Sequence, residues 1–170
     1  MGYQEWRTPP AFFAALDAEF HFTIDVAASD QDHLCSRYYT KEQDGLRQPW
    51  AGEVVWCNPP YGNVYPWVEK ACQEAAFHGA TCVLLLNPCT DTAWFHNFIW
   101  DDRLHRPRSG VEVRLLPGRI RFLDQYGLPG PSPRHPNMLA VFRRASVAHL
   151  DVSGGLPLHQ GDCRNIVKIS

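Results

Sequence analysis

The sequence lacks two features that would direct a chain to or across a membrane. Its apolar runs, such as residues 82–86, are far too short to span a bilayer. Residues 1–6 show no positively charged leader followed by an apolar core, which is the pattern of a secretory signal. We therefore expect a soluble, cytoplasmic protein with no membrane partner.

The sequence also lacks the spacing of a zinc site or a disulfide framework. None of its six cysteines forms a CxxC pair, and no histidine cluster lies at ligand spacing beside them. Most of them lie in apolar stretches, where a free thiol behaves as a small hydrophobic side chain. We therefore expect no metal site and reduced thiols at Cys35, Cys57, Cys72, Cys82, Cys89 and Cys163.

Charge is divided unevenly along the chain, although the net charge is only −2. Residues 1–102 hold 5 Lys and Arg against 14 Asp and Glu, whereas residues 103–144 hold nine Arg, no Lys and only two acidic residues. One interpretation is a solvated surface laced with salt bridges. We favour a basic face that meets phosphates, because arginine binds them in a bidentate manner.

The pattern of apolar residues predicts an α/β fold with a mostly parallel sheet and an antiparallel end. At 170 residues and 45% hydrophobic composition, the chain suits one folded domain. Thr8 followed by two prolines predicts a helix start with Thr8 as its N-cap. Further helices are expected at 29–35, at 67–76 with Gly79 after its end, and from a cap at Thr90, Asp91 or Thr92 to residue 100. Strands are expected at 22–26, 53–57, 81–86, 111–116, 119–123 and 138–142, with an edge strand at 37–40 and a loop at 127–136.

The tetrad Asn58-Pro59-Pro60-Tyr61 directly follows the strand predicted at 53–57. Ligands of open α/β sheets bind beyond the carboxyl ends of the strands. The Asn58 side-chain oxygen and a backbone carbonyl fixed by proline offer two acceptors for the hydrogens of an exocyclic amine. The Tyr61 ring can stack on a planar base drawn out of a nucleic acid. The simpler interpretation is a rigid turn that leaves a strand.

The chain resembles the phage-type (Dam-like) DNA N6-adenine methyltransferases over about residues 6–142. The tetrad looks like the signature of amino methyltransferases, which act on adenine N6, cytosine N4 or glutamine. The ordered set that carries the closer resemblance comprises Trp6-Arg7-Thr8-Pro9-Pro10, Phe22-Thr23-Ile24-Asp25-Val26-Ala27-Ala28-Ser29, Asp44-Gly45-Leu46, Trp50, Trp56-Cys57 with the tetrad and Gly62, Asn87-Pro88, Asp91-Thr92-Ala93-Trp94-Phe95-His96 and Gly118-Arg119-Ile120-Arg121-Phe122.

This resemblance implies a reduced Rossmann-like class I methyltransferase fold over residues 1–145, with 146–170 as a C-terminal extension. It implies S-adenosylmethionine as cofactor and DNA as partner, in the host cytoplasm if a phage encodes the protein; a dimer is an open option. The tetrad Asn58, Pro59, Pro60 and Tyr61 would be catalytic. The cofactor would meet Thr8, Pro9, Asp25, Ala27, Ala28, Asp44 and Asn58.

Sequence reading would fall to short loops, because the chain leaves no room for a separate recognition domain. Only 33 positions separate Asp25 from Asn58, which is too few for two full strand-helix units, so the sheet should also be reduced. Residues 101–110 and 126–135 then remain to meet the DNA. The arginines that we expect at phosphates or guanine edges are Arg103, Arg106, Arg108, Arg119 and Arg134.

Several other functions compete with this interpretation. We favour a cytosine-N4 enzyme less than an adenine-N6 enzyme, because the tetrad of cytosine enzymes more often begins with Ser. The basic loops make a protein glutamine substrate less favoured. A non-catalytic DNA-binding relic of the fold is a rival of a different class, which the intact tetrad opposes. A nicotinamide oxidoreductase would require a GxGxxG motif, and the sequence contains none.

Overall fold

A five-stranded mixed sheet forms the centre of the molecule, for which a computed structural model describes residues 7–131 and 135–145. The strand order is β1-β2-β3-β7-β6; the first three strands are parallel, and β7 is antiparallel to both of its neighbours. In chain order the elements are α1 (Pro10–Phe20), β1 (Ile24–Asp25), β2 (Val54–Cys57), α2 (Tyr65–His78), β3 (Thr81–Leu86), a π-helix (Phe95–Ile99), β4 (Trp100–Asp101), β5 (Arg106–Pro107), β6 (Val111–Leu115) and β7 (Met138–Phe142).

Both faces of the sheet are covered, which explains why β3 and β7 are apolar along almost their whole length. Side chains alternate between the faces of a strand, so Leu84 packs with α2 and the π-helix, and its neighbours Val83 and Leu85 pack with α1. Phe13 and Phe20 of α1 close the second face. The fully apolar runs therefore mark strands buried on both sides.

The main elements agree with the sequence-based prediction. An α/β chain with parallel strands at one end of the sheet and antiparallel pairing at the other is confirmed. The helix α2 ends directly before Gly79, as predicted. Gly79 adopts the left-handed backbone conformation, with φ 70°, that commonly ends a helix. The segment 127–131 contains no regular element, as expected for a loop, and 132–134 lie outside the described residues.

Four local predictions were wrong. Residues 29–35 form turns instead of a helix, and 119–123 form an extended segment with two isolated bridges, from Leu123 to Arg7 and to Pro129, instead of a strand. Residues 37–40 add only a single parallel bridge to β1. Thr8 is not the N-cap of α1; Pro9 holds that position, with no side-chain cap. In each segment tertiary contacts override the local pattern.

The aromatic-rich segment is helical, as predicted, but Phe95–Ile99 form a π-helix, a type that the sequence pattern did not predict. Thr92 does not cap it, because its hydroxyl donates to the Cys89 carbonyl at 2.7 Å. The following residues, expected as an arginine-rich loop, form the β4–β5 hairpin. Two contacts fix this hairpin: His96 Nδ1 lies 2.7 Å from an Asp102 carboxylate oxygen, and Arg108 donates twice to the His96 carbonyl, at 3.2 and 2.6 Å.

No helix within residues 7–131 and 135–145 has the length and apolar character of a membrane span. No group of three His, Cys, Asp or Glu side chains within those residues is arranged to hold a metal ion. The five cysteines in this part of the chain form no disulfide bond with one another, and Cys163 lies outside it.

Candidate active site

Asn58 occupies the carboxyl end of β2 and carries a buried acceptor with no partner. Its Nδ2 donates to the Thr8 hydroxyl at 3.4 Å, whereas its Oδ1 is buried and has no hydrogen-bond partner among the described residues. An orphaned buried acceptor commonly costs about 1–3 kcal/mol, so such atoms call for an explanation. An amine supplied by a ligand would satisfy this oxygen.

Thr8 is held beside Asn58 by the segment that was expected to be a strand. The backbones of Arg7 and Leu123 exchange two hydrogen bonds, of 2.8 and 2.9 Å. Thr8 is buried, and Pro9 follows it as the N-cap of α1. The structure thus brings Thr8, Pro9 and Asn58 together, although they are about fifty positions apart in the sequence.

Tyr61 forms one wall of a cavity of about 300 Å³ beyond the ends of β2 and β3. The residue is 40% exposed, and its ring makes an edge contact with Phe122, with 6.4 Å between the ring centroids. Burial of the hydroxyl end raises the pKa of Tyr61, so the phenol is neutral at physiological pH. The other lining residues are Gly62, Asn63, Val64, Tyr65, Asn87, Cys89, Thr92 and Trp94.

Asp25 lies at the carboxyl end of β1, opposite Trp56 of β2, and is only 4% exposed. Its oxygens accept hydrogen bonds from the backbone N–H groups of Ala27 at 3.3 Å and Leu34 at 3.2 Å. Burial outweighs these bonds and raises the pKa of the Asp25 carboxyl to about 6. Asp25 forms no ion pair with any described residue, so this buried carboxylate suits a cation that arrives from outside.

Asp44 is placed near the end of β1 by an unusually close backbone approach at Gly45. A Cβ atom at Gly45 would lie 2.1 Å from the Val26 carbonyl oxygen, so only glycine fits. The Gly45 carbonyl accepts from the Trp50 indole at 2.9 Å, and Asp44 itself has φ 55°. The small side chains of Ala27 and Ala28 are half-buried in the same region.

A second cavity, of about 270 Å³, opens beside Thr8. Its lining includes Leu34, whose N–H group binds Asp25, and Arg7, whose Nε lies 4.0 Å from an Asp32 oxygen. Neither of the two cavities is lined by Asp25 or Asp44 themselves. Asp25 is buried, whereas the Asp44 side chain is 45% exposed and its Oδ2 lies 3.3 Å from Arg47 Nε.

The nine arginines of residues 103–144 separate into two groups. Arg114 pairs with Glu19 and Glu112, Arg143 pairs with Glu112, and Arg108 is committed to the His96 carbonyl. These three brace the fold. Arg134 lies outside the described residues, and the remaining exposed arginines are Arg103, Arg106, Arg119, Arg121 and Arg144.

Sequence reasoning missed the roles of three residues that surround Tyr61. Phe122 and Asn87 belong to the motifs of the resemblance, but no role was assigned to them. Asn137 was missed altogether, although a polar residue directly before the apolar run 138–142 was a visible signal. It is buried, and its Nδ2 donates to Asn87 Oδ1 at 3.2 Å.

Comparison with known proteins yields one family and two named relatives. The family described as DNA N-6-adenine-methyltransferase (Dam) matches residues 3–143. A DNA N-6-adenine-methyltransferase of Haemophilus phage HP1 (strain HP1c1) is 35% identical over 141 residues, which cover 81% of this chain and 77% of the phage protein. A protein of the same name from Escherichia phage T1 is 33% identical over 92 residues, or 53% of this chain and 38% of that protein.

Proposed function

Because the chain belongs to the DNA N-6-adenine-methyltransferase (Dam) family, it is an adenine-N6-specific DNA methyltransferase, and we propose that S-adenosylmethionine is its methyl donor. The orphaned Asn58 Oδ1 beside Tyr61 is the observation that carries the proposed active site. We assign the fold to a reduced Rossmann-like class I methyltransferase type, supported by the reversed β7 between β3 and β6. Domain limits at residue 145 and a host-cytoplasmic location belong to the same proposal.

The edge formed by β1 and β2 fits such a cofactor. The unpaired, buried Asp25 carboxylate suits an ammonium group, and the glycine-only approach at Gly45 brings Asp44 within reach of hydroxyl groups. S-adenosylmethionine supplies an electrophilic methyl group when bound. Thr8, Pro9, Ala27, Ala28 and Asn58 would complete its surroundings.

The tetrad orients the amine that accepts the methyl group. Asn58 Oδ1 and the Pro59 carbonyl accept the two N6 hydrogens, which directs the nitrogen lone pair away from the ring plane. Tyr61 stacks on the extruded adenine. None of these groups is a strong base, and none is required, because positioning lowers the barrier and the proton leaves after the transfer.

Methylation of total unmethylated DNA with labelled S-adenosylmethionine tests this function. After digestion to nucleosides, the label is expected in N6-methyl-2′-deoxyadenosine. Label in N4-methylcytosine, or in the protein alone, would overturn the proposed roles of the tetrad. Binding of DNA and cofactor with no transfer by the folded protein would identify it as a relic of the fold.

Replacement of Tyr61 with alanine is expected to weaken productive DNA binding by about 1–2 decades. The physical reason is the loss of a stacking surface, which contributes about 1–3 kcal/mol per base. Tyr61→Phe keeps the ring and is the matched control, with an expected effect of less than about tenfold, the limit for one net hydrogen bond. Single-turnover rates over a range of DNA concentrations separate the two variants, and equal losses in both would exclude stacking.

Replacement of Arg106 and Arg119 with glutamine is expected to flatten the salt dependence of DNA binding. Each phosphate contact contributes about 0.9 to the slope of log K against log salt, so the double variant should lose about two from its magnitude. Both residues are exposed, whereas Arg108 would be a poor choice because it holds the His96 carbonyl. Lys41→Gln, on the acidic part of the chain, is the control. An unchanged slope would place the DNA elsewhere.

A further inference from the structure

Residues 122–130 fold back on themselves as a small hairpin at the edge of the candidate active site. Its two arms are joined at the base by a backbone hydrogen bond of 2.8 Å, from the Gly130 N–H group to the Phe122 carbonyl. The Phe122 ring contacts the Tyr61 ring edge-on, with 6.4 Å between the ring centroids. The 122–130 hairpin therefore begins directly beside the stacking residue of the tetrad.

The tip of this hairpin is fixed by Asp124. One carboxylate oxygen of Asp124 accepts hydrogen bonds from the backbone N–H groups of Tyr126 and Leu128, both at 2.9 Å. The Asp124 N–H group donates to the Leu128 carbonyl at 2.8 Å, and the Asp124 carbonyl accepts from the Gly127 N–H group at 3.0 Å. Gly127 has φ 76°, in the left-handed region that suits glycine in a tight turn. The turn is therefore held in one shape by its own hydrogen bonds.

This fixed tip presents two large apolar side chains to solvent. Tyr126 is 78% exposed, and Leu128 is 61% exposed. Single exposed apolar residues are common on protein surfaces and need no explanation. Two of them on one rigid turn form a local apolar surface, and such surfaces mark interaction sites. The tip of the 122–130 hairpin is therefore suited to insertion into an apolar environment.

Double-stranded DNA is the partner that this tip fits. Arg119 and Arg121 lie on the segment that enters the hairpin and are exposed, so cationic side chains accompany the apolar tip. An extended chain covers at most about 14 Å between Phe122 and Tyr126. DNA rises about 3.4 Å per base pair, so this distance corresponds to about four base pairs. Because Phe122 contacts Tyr61, one short stretch of duplex can meet both tyrosines.

We propose that Tyr126 enters the base stack of the DNA and fills the space that the target adenine leaves. The proposal rests on the proposed function, in which Tyr61 stacks on the extruded adenine. Extrusion of a base breaks its stacking and pairing, and an apolar side chain inserted at that step restores part of the lost stacking. Tyr126 then opposes the return of the adenine, and Leu128 widens the inserted surface. Tyr61 thus contacts the base that leaves, and Tyr126 contacts the bases that remain.

Single-turnover methylation of two short duplexes tests this role. Both carry the sequence that the wild type methylates in total DNA; the target adenine faces thymine in one and a mismatched cytosine in the other. At saturating DNA and cofactor, the rate follows the extruded fraction of the target base. Tyr126→Ala is expected to slow transfer on the paired duplex by about fivefold or more, the lower limit for loss of one stacked base. On the mismatched duplex the loss should be less than about twofold, because extrusion there is easier.

Two variants and one further measurement separate stacking from other effects. Tyr126→Phe keeps the ring and should stay within about twofold of the wild type on both duplexes. The fluorescence of 2-aminopurine at the target position rises when the base leaves the stack, and it should show a smaller extruded fraction for Tyr126→Ala on the paired duplex. Phe77→Ala removes a 53% exposed ring near the end of α2, which leads into the amino end of β3 at the opposite edge of the sheet. This control should change neither rate.

A rate for Tyr126→Ala within about twofold of the wild type on the paired duplex would overturn the proposal. Equal losses on both duplexes would also overturn it, because they would indicate a simple DNA contact or a structural defect. Urea unfolding should show no loss of stability, since an exposed side chain on a turn contributes little to the fold. Failure of the wild type to methylate any DNA would instead refute the proposed function.

Discussion

Asn58→Ala is expected to slow methyl transfer by about two to three decades while cofactor affinity changes little. The variant removes one of the two acceptors that orient the amine, and loss of such an orienting hydrogen bond commonly costs about 2–4 kcal/mol in the transition state. The wild-type Oδ1 is already buried and unpartnered, so its removal from the free protein breaks no hydrogen bond. The variant also loses the bond of 3.4 Å from Nδ2 to the Thr8 hydroxyl, so urea unfolding of both proteins separates a loss of stability from the loss of rate.

Single-turnover methylation at saturating cofactor and DNA measures this effect directly. Asn63→Ala removes an amide from the wall of the cavity that Tyr61 lines and should keep a rate within a fewfold of the wild type. If Asn58→Ala methylates DNA as fast as the wild type, the tetrad is only a turn after β2 and the proposed mechanism is wrong.

Asp25→Asn is expected to change how the stability of the cofactor-free protein depends on pH. The pKa of the Asp25 carboxyl is about 6 in the folded state, against 3.8 for an ordinary aspartate, so the folded state binds more protons between these values. The stability from this carboxyl is present at low pH and is lost as pH rises through 6. The shift corresponds to at most about 3 kcal/mol, most of it lost between about pH 4 and pH 7. Asparagine does not titrate and escapes this loss.

Urea unfolding of wild type and Asp25→Asn at several pH values measures the difference between their unfolding free energies. That difference should move in favour of the variant as the pH rises. Asp91→Asn, at an exposed carboxylate, should show no such trend. A constant difference between wild type and Asp25→Asn over this range would contradict the raised pKa.

S-adenosylmethionine should reverse the loss of stability with rising pH in the wild type, but not in Asp25→Asn. An ammonium group beside Asp25 lowers the pKa of the carboxyl, because an opposite charge favours the ionised form. Saturating cofactor should therefore stabilise the wild type more at pH 8 than at pH 5, and Asp25→Asn should bind it more weakly. Equal binding by both proteins would place the ammonium group away from Asp25.

The sequence predicted best those segments whose pattern is imposed by burial. β3 and β7 are apolar because both faces of the sheet are covered, and α2 ends at a glycine that adopts a left-handed conformation. Residues 119–123 failed because the Leu123 backbone is bonded to Arg7 at the other end of the chain, and local propensity contains no information about such a partner. In residues 29–35 the Ser29 and Asp32 backbones bond each other and the Leu34 N–H group bonds the Asp25 carboxylate, so turns form instead of a helix.

The candidate site could be predicted only where its residues end a strand or follow one directly. Asn58 and Asp25 met this condition, since parallel strands deliver their next residues to one edge of the sheet. Thr8 was expected near the cofactor from the resemblance, but its bond to Asn58 needed the fold. Asn137 showed only as a polar residue before an apolar run, because its hydrogen-bond partner Asn87 is fifty positions away.

The insertion of β7 between β3 and β6 has a consequence for how the chain folds during its synthesis. β3 pairs with β2 on one side. Its other edge pairs with β7, which is synthesised only after residues 87–137. At about 5–20 residues per second, a ribosome needs several seconds to deliver that strand. Throughout this interval the nascent chain exposes the free edge of β3, an apolar strand with unpaired N–H and C=O groups, and such an edge can pair with other chains. Fragments that stop short of Met138 keep that edge open permanently, so they should aggregate even though they contain every residue of the tetrad.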